Sequence, residues 1–186
     1  MMTAAELRDF IKEHFTETAF RLEVLQQYEV ASDGNDFGRY LRGEPAPTLE
    51  RKGPWLQRLR NERARGLYRH RVRIVTAPVT DYTRFECEWG YAPNAEAGED
   101  IRILDLAERD WPELAPGVHQ DFWLLDNEHA LSMHYGPTGE FLGATAEHNL
   151  LPAFRDARDL LWDTAEPFTE WWPRHIELHR DGRQAA

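Results

Sequence analysis

The spacing of apolar side chains changes at Gly66, and this change constrains the fold more than any other feature of the sequence. Before Gly66, apolar residues recur at helical spacing, which predicts a helix over residues 48–65. After it, residues 68–76 alternate, so that Arg71 and Arg73 fall on one face of a predicted strand and apolar side chains on the other. An amphipathic helix followed directly by a strand is typical of α/β proteins.

The segments after residue 76 extend this order. In sequence, the predicted elements are a helix at 81–89, a loop at 90–98, a buried strand at 101–104, a hairpin of strands at 121–125 and 130–135, a short strand around Phe141, an amphipathic helix from Leu150 to Ala165, and an irregular tail from Trp171. Residues 126–128 form the predicted hairpin turn. The order β, α, β, β, β, α predicts an α/β fold in which helices flank a mixed β-sheet.

The first 47 residues are predicted to form a helical accessory region that does not fold independently. Thr3 and Glu6 have the spacing of a capping box, which predicts a helix over residues 3–15. Residues 19–30 fit both helical and alternating spacing, and we interpret them as a helix followed by a strand. A turn at 33–35, a helical piece at 37–41 and a break rich in Gly and Pro at 43–47 complete the region. We expect this break to separate residues 1–47 from a main body at 48–186.

The composition predicts one folded domain in the cytosol. Apolar residues make up 41% of the 186 residues and aromatic residues 12%, which suffices for a single core and is too apolar for a disordered chain. The single cysteine, Cys87, excludes an intrachain disulfide and a zinc site built from several cysteines. The sequence shows neither a membrane-spanning apolar run nor a secretion signal, so we expect a cytoplasmic protein without membrane contacts.

Charge is distributed unevenly along the chain. The formal net charge is −11, which argues against direct nucleic-acid binding by the whole surface. Residues 51–73 nevertheless contain nine Arg and Lys residues and one acidic residue, Glu62. Two interpretations stay open: a helix with a solvated basic face, and a binding site for phosphate or for an acidic partner.

His119, Asp121 and Asp126 resemble a damaged catalytic signature. Their spacing is that of the phospholipase D superfamily, but Asp121 stands where that superfamily has Lys. In active members the His attacks phosphorus and the Lys neutralises the phosphate oxygens. The resemblance implies one half of a phospholipase D-like fold. Because a carboxylate at position 121 repels a phosphodiester, it implies this fold without the activity. Two alternatives stay open: a coincidental spacing of a loop His and a hairpin-turn Asp, and a phosphodiesterase or nuclease that uses His119 with Asp126.

Several blocks of sequence together resemble one family over almost the full length. These blocks are RLEVLQQYEV, FGRYLRGEP, RHRVRIVTAPVTDYTRFE, NAEAGEDIRIL and DFWLLD. They resemble an actinobacterial family of unknown function, number 6879 in the series of domains of unknown function. Its members are small cytosolic proteins encoded beside helix-turn-helix regulators. The resemblance therefore implies a non-enzymatic regulatory or sensor protein that acts in transcription regulation with such a partner.

Five residues form the predicted ligand-binding site. Arg73, Tyr82, Glu99 and Asp126 are expected to converge with His119 at the carboxyl ends of the strands, where α/β proteins bind ligands. The expected occupant is a small molecule whose identity the sequence does not specify.

The sequence predicts no cofactor and no metal. His175 and His179 have the spacing of a metal-binding pair on a helix, but Pro173 and the chain end favour a frayed tail. The expected protein partner is a helix-turn-helix regulator, and a homodimer is the assembly that a shared phospholipase D-like site would require.

Overall fold

One mixed β-sheet forms the centre of the computed structural model, which describes residues 1–29 and 34–180. Its strands are β1 (Thr18–Glu23), β2 (Tyr68–Val75), β3 (Asp100–Asp105), β4 (Phe122–Leu125), β5 (His129–Tyr135), β6 (Phe141–Ala146) and β7 (Glu166–Pro167). The strand order across the sheet is β6-β5-β4-β1-β2-β3-β7. β1, β2 and β3 are parallel, and the other neighbouring pairs are antiparallel. The predicted α/β class with a mixed sheet is confirmed.

Helices cover both faces of the sheet. They are α1 (Ala4–His14), α2 (Asp36–Leu41), α3 (Leu49–Ala64), α4 (Asp81–Phe85), α5 (Ala92–Glu96), α6 (Leu151–Thr164) and α7 (Phe168–Arg174). A π-helical segment at Glu86–Tyr91 joins α4 to α5, and a 3₁₀ turn at Ile176–Leu178 follows α7. None of the described helices is both long enough and apolar enough to cross a membrane.

β1 lies between β4 and β2, in the middle of the sheet. The predicted helix followed by a strand over residues 19–30 is wrong in its described part, because the strand comes first and ends at Glu23. Phe20 and Leu22 are fully buried, and this packing outweighs the helical spacing of the segment. Val30 lies outside the described residues. The chain before residue 47 thus supplies an inner strand, and the break at 43–47 separates segments that share one sheet.

The two faces of the sheet differ in chemistry. The apolar face packs against α6 through a cluster of buried side chains: Phe20, Leu22, Val72, Ile74, Leu104, Phe122 and Leu124 from the strands, and Phe154, Ala157 and Leu161 from the helix. The opposite face carries Arg21, Arg69, Arg71 and Arg73, and we call it the arginine face. α1 covers this face beside β4 and β5, and α7 with the π-helical segment covers it beside β3. The charged centre of the face lies between these two apolar clusters.

Local signals explain the ends of several helices. Thr3 and Glu6 form the predicted capping box at the start of α1. Gly66 follows α3 with a φ of 81°, a conformation that glycine adopts without strain. The loop predicted at 90–98 is wrong, because the π-helical segment and α5 continue the helix. Pro93 lies in the first turn of α5, where proline is tolerated, so it does not break the helix.

The end of the chain is more regular than the sequence predicts. The irregular tail expected from Trp171 is instead α7, because Phe168 and Trp171 are buried against the apolar side chains of β3. The hairpin of β4 and β5 and the following strand β6 are confirmed. Of the turn predicted at 33–35, Asp33 lies outside the described residues.

Candidate functional site

Four arginines project from one face of the two central parallel strands. Arg21 of β1 and Arg69, Arg71 and Arg73 of β2 share this face because side chains alternate along a strand. The register places Arg21 beside Arg71 and Glu23 beside Arg73. Arg73 is 0% exposed and Arg21 only 5%. Since an isolated buried charge costs several kcal/mol, each guanidinium requires compensation from its surroundings.

Asp121 compensates Arg21. One of its carboxylate oxygens lies 2.8 Å from Arg21 Nη2 and accepts a hydrogen bond of 2.6 Å from the Tyr28 hydroxyl. The other oxygen accepts from the backbone N–H of Val24 at 2.9 Å. Burial raises the pKa of Asp121, and Arg21 opposes this rise. The residue at the position of the superfamily's Lys is therefore engaged as the partner of a buried arginine.

Arg71 lies between two carboxylates. Its Nη1 donates to Glu23 at 2.9 Å, and its Nε and Nη2 donate to Glu99 at 2.9 and 2.6 Å. The Tyr91 hydroxyl donates to Glu23 at 2.7 Å, and the Asn94 amide donates to Glu99 at 2.8 Å. Burial opposes the ionisation of Glu23, but the neighbouring arginines outweigh it and lower its pKa to about 2. Glu23 and Arg71 are therefore both ionised at neutral pH.

Arg73 has the weakest compensation of the four arginines. Its Cζ lies 5.1 Å from the ring centroid of Tyr28, and its Nη2 lies 3.5 Å from Thr83 Oγ1. Its Nε and Nη1, and Nη1 of Arg21, are buried and have no hydrogen-bond partner among the described residues. An unsatisfied buried donor costs about 1–3 kcal/mol, more for a charged group. These three donors on two neighbouring strands therefore carry a cost that the described residues do not offset.

A cavity of about 570 Å³ is lined by two of these arginines, Arg21 and Arg71, and we call it the arginine cavity. Its lining includes six aromatic side chains, which are Tyr28, Trp55, Tyr82, Tyr91, Trp123 and Tyr135. Its charged lining residues are Arg21, Arg51, Lys52 and Arg71 against Glu23, Asp36 and Glu86. Pockets that bind small molecules typically have volumes of about 300–1,000 Å³. The cavity has the size and the mixed lining of such a pocket.

α3 and the helical segments opposite it form the outer walls of the arginine cavity. Lys52 Nζ donates to the backbone oxygen of Gly90 at 3.1 Å, which ties α3 to the π-helical segment. Trp55 Nε1 donates to the side-chain oxygen of Asn94 at 3.2 Å, which ties α3 to α5. Arg51 on the same helix is exposed and marks the rim. The walls thus come from parts of the chain that are far apart in sequence.

The structure brings three of the five predicted ligand-site residues to this region. Tyr82 lines the arginine cavity, and Arg73 and Glu99 belong to the charged network beneath it. They do not meet at the carboxyl ends of the strands, because Glu99 immediately precedes β3, at its amino end. The candidate site therefore lies on a face of the sheet.

His119 and Asp126 lie at opposite ends of β4 and are not brought together. His119 is exposed, with its ring 6.3 Å from that of Trp111, and it lines a separate open groove with His134. Asp126 accepts hydrogen bonds of 2.8–2.9 Å from the backbone N–H groups of residues 16–18. Burial on its own would raise the pKa of Asp126, but these bonds and the Thr16 hydroxyl outweigh burial, so the pKa lies below its ordinary value. Asp126 thus holds the start of β1 against the hairpin.

The basic segment at 51–73 divides among three environments. Its first two residues line the arginine cavity, and its last arginines lie on the arginine face. Arg58 and Arg69 both pair with Glu62, at 2.8 and 2.9 Å. A solvated basic face describes Arg60 and Arg63 of α3 and Arg65 directly after it, all of which are exposed.

Sequence reasoning missed Arg21 and Glu23 as site residues. The signal was present in the alternation of Phe20 and Leu22. Because these two side chains share one face of the strand, Arg21 and Glu23 must lie on the opposite face. The contributions of Trp55 and Asn94 carry no comparable signal, because each depends on how α3 and α5 pack together.

Fold and site together define an α/β protein with a polar, aromatic-lined cavity on one face of its sheet. The model of a family described as a domain of unknown function, DUF6879, matches residues 5–173. The chain belongs to this family, as the sequence resemblance predicts. No curated protein matches the chain.

Proposed function

We propose that this protein is a non-enzymatic sensor that binds a small polar molecule in the arginine cavity. The observation that carries this proposal is that two buried arginines, Arg21 and Arg71, line an aromatic-lined cavity and that one of them has an unpartnered guanidinium nitrogen. Arg21 lines the cavity, and its Nη1 lacks an acceptor among the described residues. A carbonyl, carboxylate or phosphate oxygen of a ligand would supply that acceptor.

The lining also constrains the kind of ligand. Four basic and three acidic side chains line the arginine cavity, so its charge is close to balanced. This balance favours a neutral or zwitterionic molecule over a polyanion. Six aromatic side chains favour a ligand that has a ring or another apolar surface. We expect a molecule of modest size that combines acceptor oxygens with such a surface.

The charged groups are arranged for recognition more than for proton transfer. Arg71 is fixed between Glu23 and Glu99 by hydrogen bonds of 2.6–2.9 Å. A general acid or base is most effective when its pKa lies near the working pH, and the pKa of Glu23 is about 2. These features support a binding role.

Differential scanning fluorimetry with nucleotides, amino acids and sugar phosphates tests the ligand proposal. We expect a saturable rise in Tm with one of these classes, because a ligand that binds only the folded state stabilises it. Trp55→Ala removes part of the cavity wall and should abolish the rise. Trp162→Ala is the matched control, because Trp162 is half-buried against the apolar face of the sheet. Its ring centroid lies 4.5 Å from Arg102 Cζ. A panel without any shift would argue against the sensor.

A helix-turn-helix transcription regulator is the proposed protein partner. The family resemblance supports this partner, and the net charge of −11 favours docking onto a basic protein. A pull-down against the regulator encoded beside the gene, at low and at high salt, tests the pairing. The absence of association at low salt would remove the partner without affecting the ligand proposal.

The phosphodiesterase alternative has less support. It requires His119 and Asp126 to act together, yet β4 separates them. Incubation with a chromogenic phosphodiester decides the matter. Activity that disappears in His119→Ala would favour the alternative, and inactivity of the wild-type chain across pH and added metals would remove it.

A further inference from the structure

We propose that Asp105, Glu108 and His175 bind a divalent transition-metal ion, with Zn²⁺ as the expected species. One oxygen of each carboxylate and one ring nitrogen of His175 all lie within 4.8 Å of one another. Asp105 ends β3, Glu108 follows in the next turn, and His175 follows α7. None of the three lines the arginine cavity, so this site is independent of the proposed sensor function.

His175 presents a lone pair to the two carboxylates. Its Nδ1 lies 3.0 Å from Glu177 Oε1, an arrangement in which Nδ1 carries the proton and donates it. Its Nε2 is buried, has no hydrogen-bond partner in the described part of the chain, and lies 3.4 Å from Glu108 Oε1. In this tautomer the Nε2 lone pair faces Glu108 Oε1 without a proton between them. Oε1 accepts a hydrogen bond from Arg174 Nη1 at 3.2 Å, but Nε2 has no such partner among the described residues. A metal ion would offer Nε2 a partner.

Within residues 1–29 and 34–180, the buried carboxylate of Asp105 accepts hydrogen bonds from neutral donors alone. It is 7% exposed. It accepts hydrogen bonds from the backbone N–H of Ala107 at 2.9 Å and from Trp171 Nε1 at 3.1 Å. Buried charges in proteins are normally paired with an opposite charge or coordinate a metal. Both oxygens of Asp105 accept a hydrogen bond, but the carboxylate has no oppositely charged partner among the described residues.

Each of the three side chains is also held by an outer contact. These contacts join Trp171 to Asp105 at 3.1 Å, Arg174 to Glu108 at 2.9 Å and Glu177 to His175 at 3.0 Å. Outer contacts of this kind fix the orientation and tautomer of metal ligands. Arg174 contacts both oxygens of Glu108, at 2.9 and 3.2 Å, and also binds Glu166 at 2.6 Å. Its charge is therefore shared between two carboxylates, and each Glu108 oxygen keeps a second lone pair for a metal.

The donor set suits zinc more than magnesium or calcium. Zn²⁺ accepts histidine nitrogen together with carboxylate oxygen, whereas the harder cations prefer oxygen alone. His179, the partner of His175 in the sequence pattern, is not part of the group. Its ring stacks on Trp172 with a centroid distance of 4.0 Å. The proposed ligands are thus two acidic residues that are close in sequence, Asp105 and Glu108, and one histidine far from them, His175.

Isothermal titration calorimetry of the untagged, full-length chain with Zn²⁺ tests the site. We expect one saturable site, weakened at least about tenfold in His175→Ala and in Glu108→Gln. Both residues are partly or fully exposed, so circular dichroism should show that the variants fold. His179→Ala is the control and should bind as the wild type does.

Three outcomes would overturn the metal site. The first is a wild-type chain without saturable Zn²⁺ binding. The second is unchanged binding in His175→Ala, and the third is an equal loss in His179→Ala. A Co²⁺-loaded chain gives a spectroscopic readout of the same site, because tetrahedral N and O ligation produces visible absorption that His175→Ala should abolish.

Discussion

Arg21 Nη2 and Asp121 Oδ2 lie 2.8 Å apart, with 6% and 2% of the two side chains exposed. This ion pair joins β1 to the residue before β4, under the arginine cavity. Removal of one partner from a buried pair leaves the other charge uncompensated, whereas an apolar replacement of both does not. The pair therefore allows a direct test of how strongly the arginine face depends on its charges.

Asp121→Ala should lower the free energy of unfolding by about 3–5 kcal/mol, because Arg21 is left as a buried, unpaired charge. The double variant Arg21→Met with Asp121→Ala should recover a large part of that loss. Urea denaturation followed by circular dichroism measures both. Asp159→Ala is the control, since Asp159 is 66% exposed and pairs with Arg158 at 2.6 Å, and it should cost at most about 1 kcal/mol. Equal losses in the two single variants would contradict the prediction.

Glu23 should make the protein sensitive to acid. Its pKa is about 2 in the folded chain, against 4.5 as the ordinary value. Folding thus favours the ionised form, so the contribution of Glu23 is present above pH 4.5 and is lost as the pH falls toward 2. The stability difference between the wild type and Glu23→Gln should therefore shrink across this window in urea denaturation. The raised pKa of Asp121 gives stability the opposite dependence on pH, but this contribution is present in both the wild type and Glu23→Gln.

Glu13→Gln provides the control for Glu23, because Glu13 is exposed on α1. Its difference from the wild type should stay small and nearly constant with pH. A Glu23→Gln difference that is also constant from pH 4.5 down to 2 would show that the ion pairs of Glu23 do not bias its ionisation.

His70 should add a second pH dependence at higher pH. Burial lowers its pKa from 6.5 to about 4, and its ring lies 4.5 Å from that of Tyr68 and 5.1 Å from that of Phe20. The unfolded chain takes up the proton first, so stability is complete above pH 6.5 and declines as the pH falls toward 4. His70→Phe should flatten the profile of unfolding free energy in this window. The same substitution at exposed His148 should leave the slope unchanged, and equal slopes in all three proteins would refute the idea.

Much of the fold could be predicted from sequence because its signals are local. The alternation around Arg71 and Arg73, the capping box at Thr3 and the hairpin turn at Asp126 each depend on a few neighbouring residues. The failures occur where tertiary packing overrides such signals. Residues 19–23 form a strand because the centre of the sheet buries Phe20, and α7 forms because Trp171 packs against β3.

The candidate site could be predicted only in part, for a similar reason. Arg73 and Glu99 were identified, but as members of a site at the strand ends, since sequence does not show which face a helix will cover. The apparent motif of His119 and Asp126 depends on spacing alone, and the hairpin places these residues on opposite ends of β4. Arg21 becomes a site residue only when β1 is placed beside β2.

Gly90, in the wall of the arginine cavity, and Gly98, which lies shortly before β3, should respond oppositely to alanine. A Cβ at Gly90 would lie 3.6 Å from the Glu86 carboxyl carbon, an ordinary contact, whereas a Cβ at Gly98 would lie 3.1 Å from Arg63 Cβ at a φ of 108°. Gly90→Ala should therefore raise the free energy of unfolding by about 0.4–1 kcal/mol, because alanine restricts the unfolded chain. Gly98→Ala should lower it by about 1–3 kcal/mol through backbone strain. Urea denaturation of both variants measures the signs, and a loss of stability in Gly90→Ala would contradict the packing around the cavity wall.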